Sequence, residues 1–309
     1  MVEVSQEPDW SGWRPLSPEL RIGPEILAEI LDGGQAFRWN LQEDGAWSGL
    51  WGAHAARVRA GRGDRLEWSS PAGPDVGTGP ALAHYLDAAR DPAGLADLLP
   101  WRSDAHLAQC IRTLPGLRIL RQPFGETLLC FLCSSAKRIA QIKQMAALMA
   151  GRHGSPLPFG AAGDPSASVG AGERFRSLPT WPELSAATEG DLRACRLGFR
   201  ARYIHQTAAF LAGRPGWLEE TEQLPYPEAK ARLCGLPGVG EKIADCVLLY
   251  GGGRLEAFPV DVWILRAMAT RYGLAGWTPR QVAHFGRTHF GPLAGLAQQY
   301  LFAWERRVA

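Results

Sequence analysis

The hydrophobic period of this chain changes once, near residue 80, and that change limits the folds open to it. Before it, Ala36–Leu41, Ala46–Trp51, Ala56–Ala60 and Arg65–Ser69 alternate roughly with period two, separated by Gly/Asp turns, as half-buried strands do. Five of the twelve tryptophans, Trp13, Trp39, Trp47, Trp51 and Trp68, fall between residues 13 and 68, which suits a small sheet with an aromatic face. From about Ala81 helical spacing takes over, with apolar faces over Phe124–Cys133 and Ile139–Met149. Helical patterns resume at Trp181–Leu184, Glu189–Cys195, Ala201–Ala212 and Tyr226–Leu233, and a last helix runs from about Pro292 to Arg307. Strands followed by helices, rather than alternating with them, predict an α+β protein. We expect an N-terminal antiparallel sheet domain over 1–105, then two all-α subdomains over 106–309, with a flexible Gly/Ala/Ser/Pro loop at about 151–172.

Charge is divided along the same line. Residues 1–100 carry 8 Lys/Arg against 15 Asp/Glu, whereas 101–309 carry 25 against 16, so a net charge of +2 hides a basic C-terminal part. Arg193, Arg196, Arg200 and Arg202 crowd one stretch, with Lys137, Arg138 and Lys143 before it. A polyanion is drawn to that part and repelled by the first. No run approaches 18 apolar residues, and the acidic start, Met1–Trp10, does not read as a secretory signal. Six cysteines in 309 residues make no disulfide scaffold, and Cys130-x-x-Cys133 on an apolar helix has no second pair at zinc spacing. We therefore expect no metal and no cofactor, reduced thiols, and a cytoplasmic, nucleoid-associated protein, or a nuclear one if the source is eukaryotic.

The segment with most chemistry lies between Leu233 and Arg271. Leu236-Pro-Gly-Val-Gly240 opens a helix in which Lys242 stands in the first turn, and Asp261 follows 19 positions later in Phe258-Pro-Val-Asp-Val-Trp. Gly238 and Gly240 permit a tight turn that exposes amides at a helix N-terminus, where unpaired donors and the helix dipole favour a phosphate. Asp261 precedes the periodic run Val262, Leu265, Ala269 and occupies an N-cap position. Taken singly, these features are a DNA-backbone hairpin, a solvated lysine and a cap. Together they provide a phosphate clamp, an amine and a carboxylate. That set suits attack on a nucleic-acid sugar, in which the carboxylate stabilises an oxocarbenium-like cation and the amine forms a Schiff base.

This segment resembles the helix-hairpin-helix glycosylase superfamily. Gly34-Gln-Ala-Phe-Arg-Trp, Gly116-Leu-Arg-Ile-Leu-Arg-Gln, Phe131-Leu-Cys-Ser-Ser, Leu197-Gly-Phe-Arg-Ala-Arg-Tyr and Gly291-Pro-Leu-Ala-Gly-Leu-Ala-Gln narrow the resemblance to its 8-oxoguanine DNA glycosylases of eukaryotic type. The resemblance implies a monomeric bifunctional glycosylase and β-lyase acting on double-stranded DNA that contains oxidised guanine. It implies Lys242 as nucleophile, Asp261 as catalytic carboxylate and Gly34 as the carbonyl that accepts the N7–H peculiar to 8-oxoguanine. Gln298 then pairs with the polar edge of the base, while Cys246 and Phe302 sandwich its faces. Gly238, Gly240, Phe199, Arg200 and Gln141 fall on DNA-contacting positions.

Four positions depart from the family pattern. Ala136 replaces a strand-separating asparagine, Phe199 a tyrosine wedge, Gln141 one of two arginines that read the opposite cytosine, and Trp263 a phosphate-contacting histidine. We expect weaker discrimination of the opposite base as a result. The competing readings are an alkylpurine DNA glycosylase, favoured by an aromatic-lined pocket, and a non-catalytic helix-hairpin-helix DNA-binding protein.

Overall fold

The computed structural model describes residues 10–74, 76–159 and 175–308. Five strands, β1 (Arg14–Pro15), β2 (Trp39–Leu41), β3 (Trp47–Trp51), β4 (His54–Ala60) and β5 (Leu66–Ser69), form one antiparallel sheet in the order β1-β5-β4-β3-β2. Trp39 is fully buried, stacks on Trp51 at 5.7 Å and donates its indole N–H to the Tyr85 hydroxyl at 3.1 Å. Its cross-strand partner is Gly49, where any Cβ would enter the Trp39 ring. That glycine lets the aromatic face close.

Helices make up most of the rest. The first six are α1 (Pro24–Asp32), α2 (Thr78–Tyr85), α3 (Pro92–Asp97), α4 (Ala105–Thr113), α5 (Phe124–Leu132) and α6 (Ile139–His153). The middle of the chain supplies α7 (Trp181–Ala186), α8 (Glu189–Arg193), α9 (Arg200–Ala212), α10 (Trp217–Gln223), α11 (Tyr226–Cys234) and α12 (Glu241–Tyr250). The last are α13 (Val262–Arg271), α14 (Pro279–Phe290) and α15 (Ala294–Val308). One group packs α5 and α7–α12 together; α4 and α13–α15 form the other. The site lies between the two. Among the described residues no helix is long and apolar enough to cross a membrane, and no group of three or more His, Cys, Asp or Glu is placed to hold a metal ion.

The structure departs in places from the pattern expected of the sequence. The first hundred residues are not all strands and turns, because Pro24 starts α1 and Ile26, Leu27, Ile30 and Leu31 bury one side of it. A further helix, α14, lies between the Asp261 helix and the last one; it begins with Pro279 behind a capping box between Thr278 and Gln281. Of the loop expected at 151–172, residues 160–172 lie outside the described residues. Its start is packed. Gly151–His153 complete α6, Leu157 N–H donates to the Phe175 carbonyl at 2.7 Å, and Leu157, Phe159 and Phe175 bury themselves with Ala55. The division expected at 105/106 falls at the first residues of α4, and a single apolar core runs across it.

Candidate active site

Between the two helical groups lies a cavity of about 610 Å³, a size suited to a small ligand. Gly34, Phe37, Phe131, Ser134, Lys242, Asp261, Trp263, Phe302 and Arg306 are among the residues that line it. Four of the residues singled out in the sequence, Gly34, Lys242, Asp261 and Phe302, thus face one space although they come from both ends of the chain.

The hairpin that delivers Lys242 is held rigidly. On α12 the buried Asp245 accepts from Tyr226 Oη at 2.7 Å and from Lys230 Nζ at 2.9 Å, both on α11. Thr207 of α9 donates to the Pro237 carbonyl at 3.2 Å. Gly238 has φ +79°, and a Cβ there would stand 2.8 Å from the Tyr203 side chain, so both backbone and packing call for glycine. Gly240 differs. It caps α12 with nothing within 4 Å of where a Cβ would lie, and the amides behind it stand clear for an anion.

Lys242 is half-buried at the start of α12. Its Nζ donates to Ser134 Oγ at 3.1 Å and lies 5.2 Å from the centre of the Phe131 ring. Ser134 in turn donates to the Phe131 carbonyl at 2.7 Å, which leaves its oxygen turned toward the amine. Ser134 belongs to the Cys-Ser-Ser block, yet nothing local in the sequence marked it as a partner of Lys242.

Asp261 caps α13. Its Oδ1 accepts the Trp263 and Ile264 amides at 3.0 and 2.9 Å, and Oδ2 takes no hydrogen bond from the described residues. Burial pushes the carboxyl above its ordinary range, against the pull of the Ile264 amide and the Lys242 charge. The cap therefore fixes the carboxylate while one oxygen stays open to the cavity.

Cys246 and Gln298, also expected at the base pocket, are not among the residues that line it. Cys246, one turn beyond Lys242, is buried, and burial pushes its thiol up to about 12. Gln298 is 3 % exposed. It donates Nε2 to the Pro259 carbonyl at 3.1 Å, which orients the amide and leaves Oε1 buried with no donor. Phe302, one turn further along α15, lies beside Gly34, whose φ is +106°.

The residues expected to face DNA separate into two kinds. Phe199 is 57 % exposed and meets Tyr203 edge to face. Arg200, expected at the opposite base, is instead 4 % exposed. Its guanidinium donates to the Ser135 carbonyl in the loop joining α5 to α6 and to the Leu197 carbonyl just ahead of α9, which the Arg200 amide also meets at 3.2 Å. Gln141 is exposed but folds back to accept the Arg138 amide at 3.1 Å, capping α6. Ala136, where the family asparagine stands, adopts φ +50°, a conformation that asparagine accepts more readily than alanine.

Residues 24–128 match the family model for the N-terminal domain of 8-oxoguanine DNA glycosylase. The chain is 33 % identical over 296 residues to an N-glycosylase/DNA lyase of Arabidopsis thaliana, covering 88 % of this chain and 75 % of that one. An N-glycosylase/DNA lyase of Saccharomyces cerevisiae is 28 % identical over 278 residues, covering 81 % and 69 %. The fold is similar to that of the 8-oxoguanine glycosylase/lyase of Clostridium acetobutylicum in complex with double-stranded DNA containing cytosine opposite 8-oxoguanine. That likeness has a TM-score of 0.80 at 30 % identity and covers 91 % of this chain and 92 % of the other. A 3-methyladenine DNA glycosylase of Archaeoglobus fulgidus shares the fold at 19 % identity and a TM-score of 0.72. With a lysine and a carboxylate facing one cavity behind a glycine hairpin, and with these relatives, the chain belongs to the 8-oxoguanine DNA N-glycosylase/lyase family.

Proposed function

We propose that this protein is a bifunctional base-excision enzyme that removes 8-oxoguanine from duplex DNA and then cleaves the strand at the abasic site. The observation that carries the reading is the meeting of Lys242 and Asp261 in one cavity walled by Gly34 and Phe302. The damaged base has to leave the duplex stack to enter it. The amides behind Gly240 grip a phosphate, and Phe199 fills space the extruded nucleotide leaves.

In the pocket the Gly34 carbonyl accepts the N7–H of 8-oxoguanine, whereas guanine offers an acceptor at N7 and is repelled. Gln298 Oε1 is a buried acceptor without a donor, a state that costs about 1–3 kcal/mol until a base edge supplies an N–H. Phe302 covers one face of the base, and Cys246 backs the other.

The chemistry then divides between two side chains. As the C1′–N9 bond breaks, its electron pair leaves with the purine, which takes up a proton, and Asp261 stabilises the cationic sugar. The lone pair of Lys242 Nζ bonds to C1′, and ring opening with loss of a proton gives the Schiff base. Loss of a C2′ proton expels the 3′ phosphate by β-elimination, and water hydrolyses the imine to free Lys242. Ser134 Oγ holds the amine in place before attack.

Borohydride trapping on duplexes carrying 8-oxoguanine tests the reading. A covalent adduct through Lys242 is expected, and binding without an adduct would leave a non-catalytic DNA-binding protein. One observation favours a second reading: four aromatic rings, Phe37, Phe131, Trp263 and Phe302, line the cavity, as an alkylpurine glycosylase would need. Including 3-methyladenine in the lesion panel decides between them.

A further inference from the structure

Arg306 lines the cavity one turn beyond Phe302 on α15, yet the excision chemistry has no use for it. Its Nη1 donates to the Gly33 carbonyl, 273 positions away in sequence, and stands 3.3 Å from Glu29 Oε1. Its guanidinium lies 5.3 Å from the centre of the Phe302 ring. Glu29 is itself buried on α1 and takes a second contact from Arg307 at 3.9 Å. A single guanidinium therefore joins α1 and the turn that follows it, which carries Gly34, to α15, which carries Phe302.

The Gly33 carbonyl and the Gly34 N–H belong to one peptide plane, so holding that carbonyl fixes one side of the Gly34 φ hinge. At φ +106° Gly34 sits where side chains rarely go, and with no Cβ of its own it has little intrinsic preference for that torsion. Something outside the residue has to set the angle at which its own carbonyl points. Arg306 is placed to do so, and its planar fork grips an acceptor in a defined direction.

We infer that Arg306 is a specificity-determining positioning residue. It locks the Gly33–Gly34 peptide against Phe302, so that the Gly34 carbonyl stays where an N7–H is accepted and an N7 lone pair is repelled. This rests on the reading of Gly34 as the lesion-sensing carbonyl. Without the lock the carbonyl turns away from guanine, and discrimination falls further than the chemistry does.

The full chain and the variants Arg306→Leu and Arg306→Lys test it, with thermal melting to verify folding. Relative affinity for 8-oxoguanine over guanine, each opposite cytosine, is measured beside cleavage of a preformed abasic site, which presents no base. For Arg306→Leu the preference should fall by about tenfold, the worth of one well-placed hydrogen bond, and abasic cleavage should fall much less. Arg306→Lys, with charge but no fork, should lie between. An undiminished preference in Arg306→Leu overturns the inference and leaves the Gly34 reading intact, as does a parallel loss of preference and abasic cleavage. No preference in the unmodified protein removes the Gly34 reading and the inference with it. If the leucine variant does not fold, the lysine variant decides, and a preference equal to that of the unmodified protein overturns the inference.

Discussion

Replacing Asp261 by asparagine separates the two roles this residue holds. As a cap, Oδ1 accepts the Trp263 and Ile264 amides at 3.0 and 2.9 Å, and asparagine offers the same oxygen in the same place. Asparagine and aspartate cap helices about equally well, so the loss on that account is the charge–dipole attraction, about 0.3–1 kcal/mol. Against it stands the cost of a buried charge. Burial raises the carboxyl above its ordinary 3.8, so between 3.8 and the raised value the folded protein holds a proton that the unfolded chain has released. Stability contributed by this group therefore falls as pH rises through that window, and at neutral pH the ionised side chain carries its desolvation cost. Asparagine relieves that cost. The two effects oppose, and we expect a net change within about 1 kcal/mol, or a melting shift of no more than about 3 °C.

Catalysis responds differently. Removing one preorganised charge from a developing cation costs about 10²–10³-fold in rate. Single-turnover excision of 8-oxoguanine should fall by that factor in Asp261→Asn, while melting barely moves. In the unmodified protein the rate should rise with pH as Asp261 ionises, and the variant should lose that limb. Asp261→Ala should lose both activity and about 1 kcal/mol of cap. Wild-type excision in Asp261→Asn would remove the residue from the mechanism, and a melting loss above about 5 °C would show that the cap, not the charge, was disturbed.

Lys242→Gln should abolish borohydride trapping yet keep duplex binding in gel-shift assays; trapping that persists would assign the nucleophile elsewhere. Gly238→Ala should lower stability by about 1–3 kcal/mol, through its φ of +79° and the 2.8 Å approach to Tyr203. Gly240→Ala, in open space, should fold normally and lose DNA affinity only, so equal melting temperatures for the two would refute this account of the hairpin. Lys230→Met strands the buried Asp245 and should cost about 3 kcal/mol at neutral pH. Because burial already raises the Asp245 carboxyl, the loss should shrink in acid as the group protonates, and urea denaturation at two pH values checks this. Gln141→Arg should sharpen the preference for cytosine opposite the lesion, since Arg200 is turned inward; a four-base panel with unchanged ratios would refute it.

Lys242 and Asp261 were legible in the sequence because their placement is local. A Pro-Gly-Val-Gly turn ends one helix and starts another within a few residues, and a capping aspartate is fixed by the two amides that follow it. The change of period near residue 80 was legible for the same reason, since strand and helix patterns repeat within one turn or pleat. α1 and α14 carried equally local signals, Pro24 ahead of paired apolar residues and the Thr278–Gln281 box, and were passed over because neighbouring strands and motifs dominated the pattern. Tertiary packing decided what those groups meet. Ser134 under the lysine, Arg306 between Gly33 and Phe302, and the unpartnered oxygen of Gln298 depend on segments far apart in sequence. Arg200 shows the difference most plainly: a basic stretch predicts a charge for DNA, but the backbone carbonyls of Ser135 and Leu197, brought beside it by the fold, hold that guanidinium inward. Backbone propensity acts over a few residues, whereas the partner of a long polar side chain is whichever unsatisfied group the whole fold brings within reach.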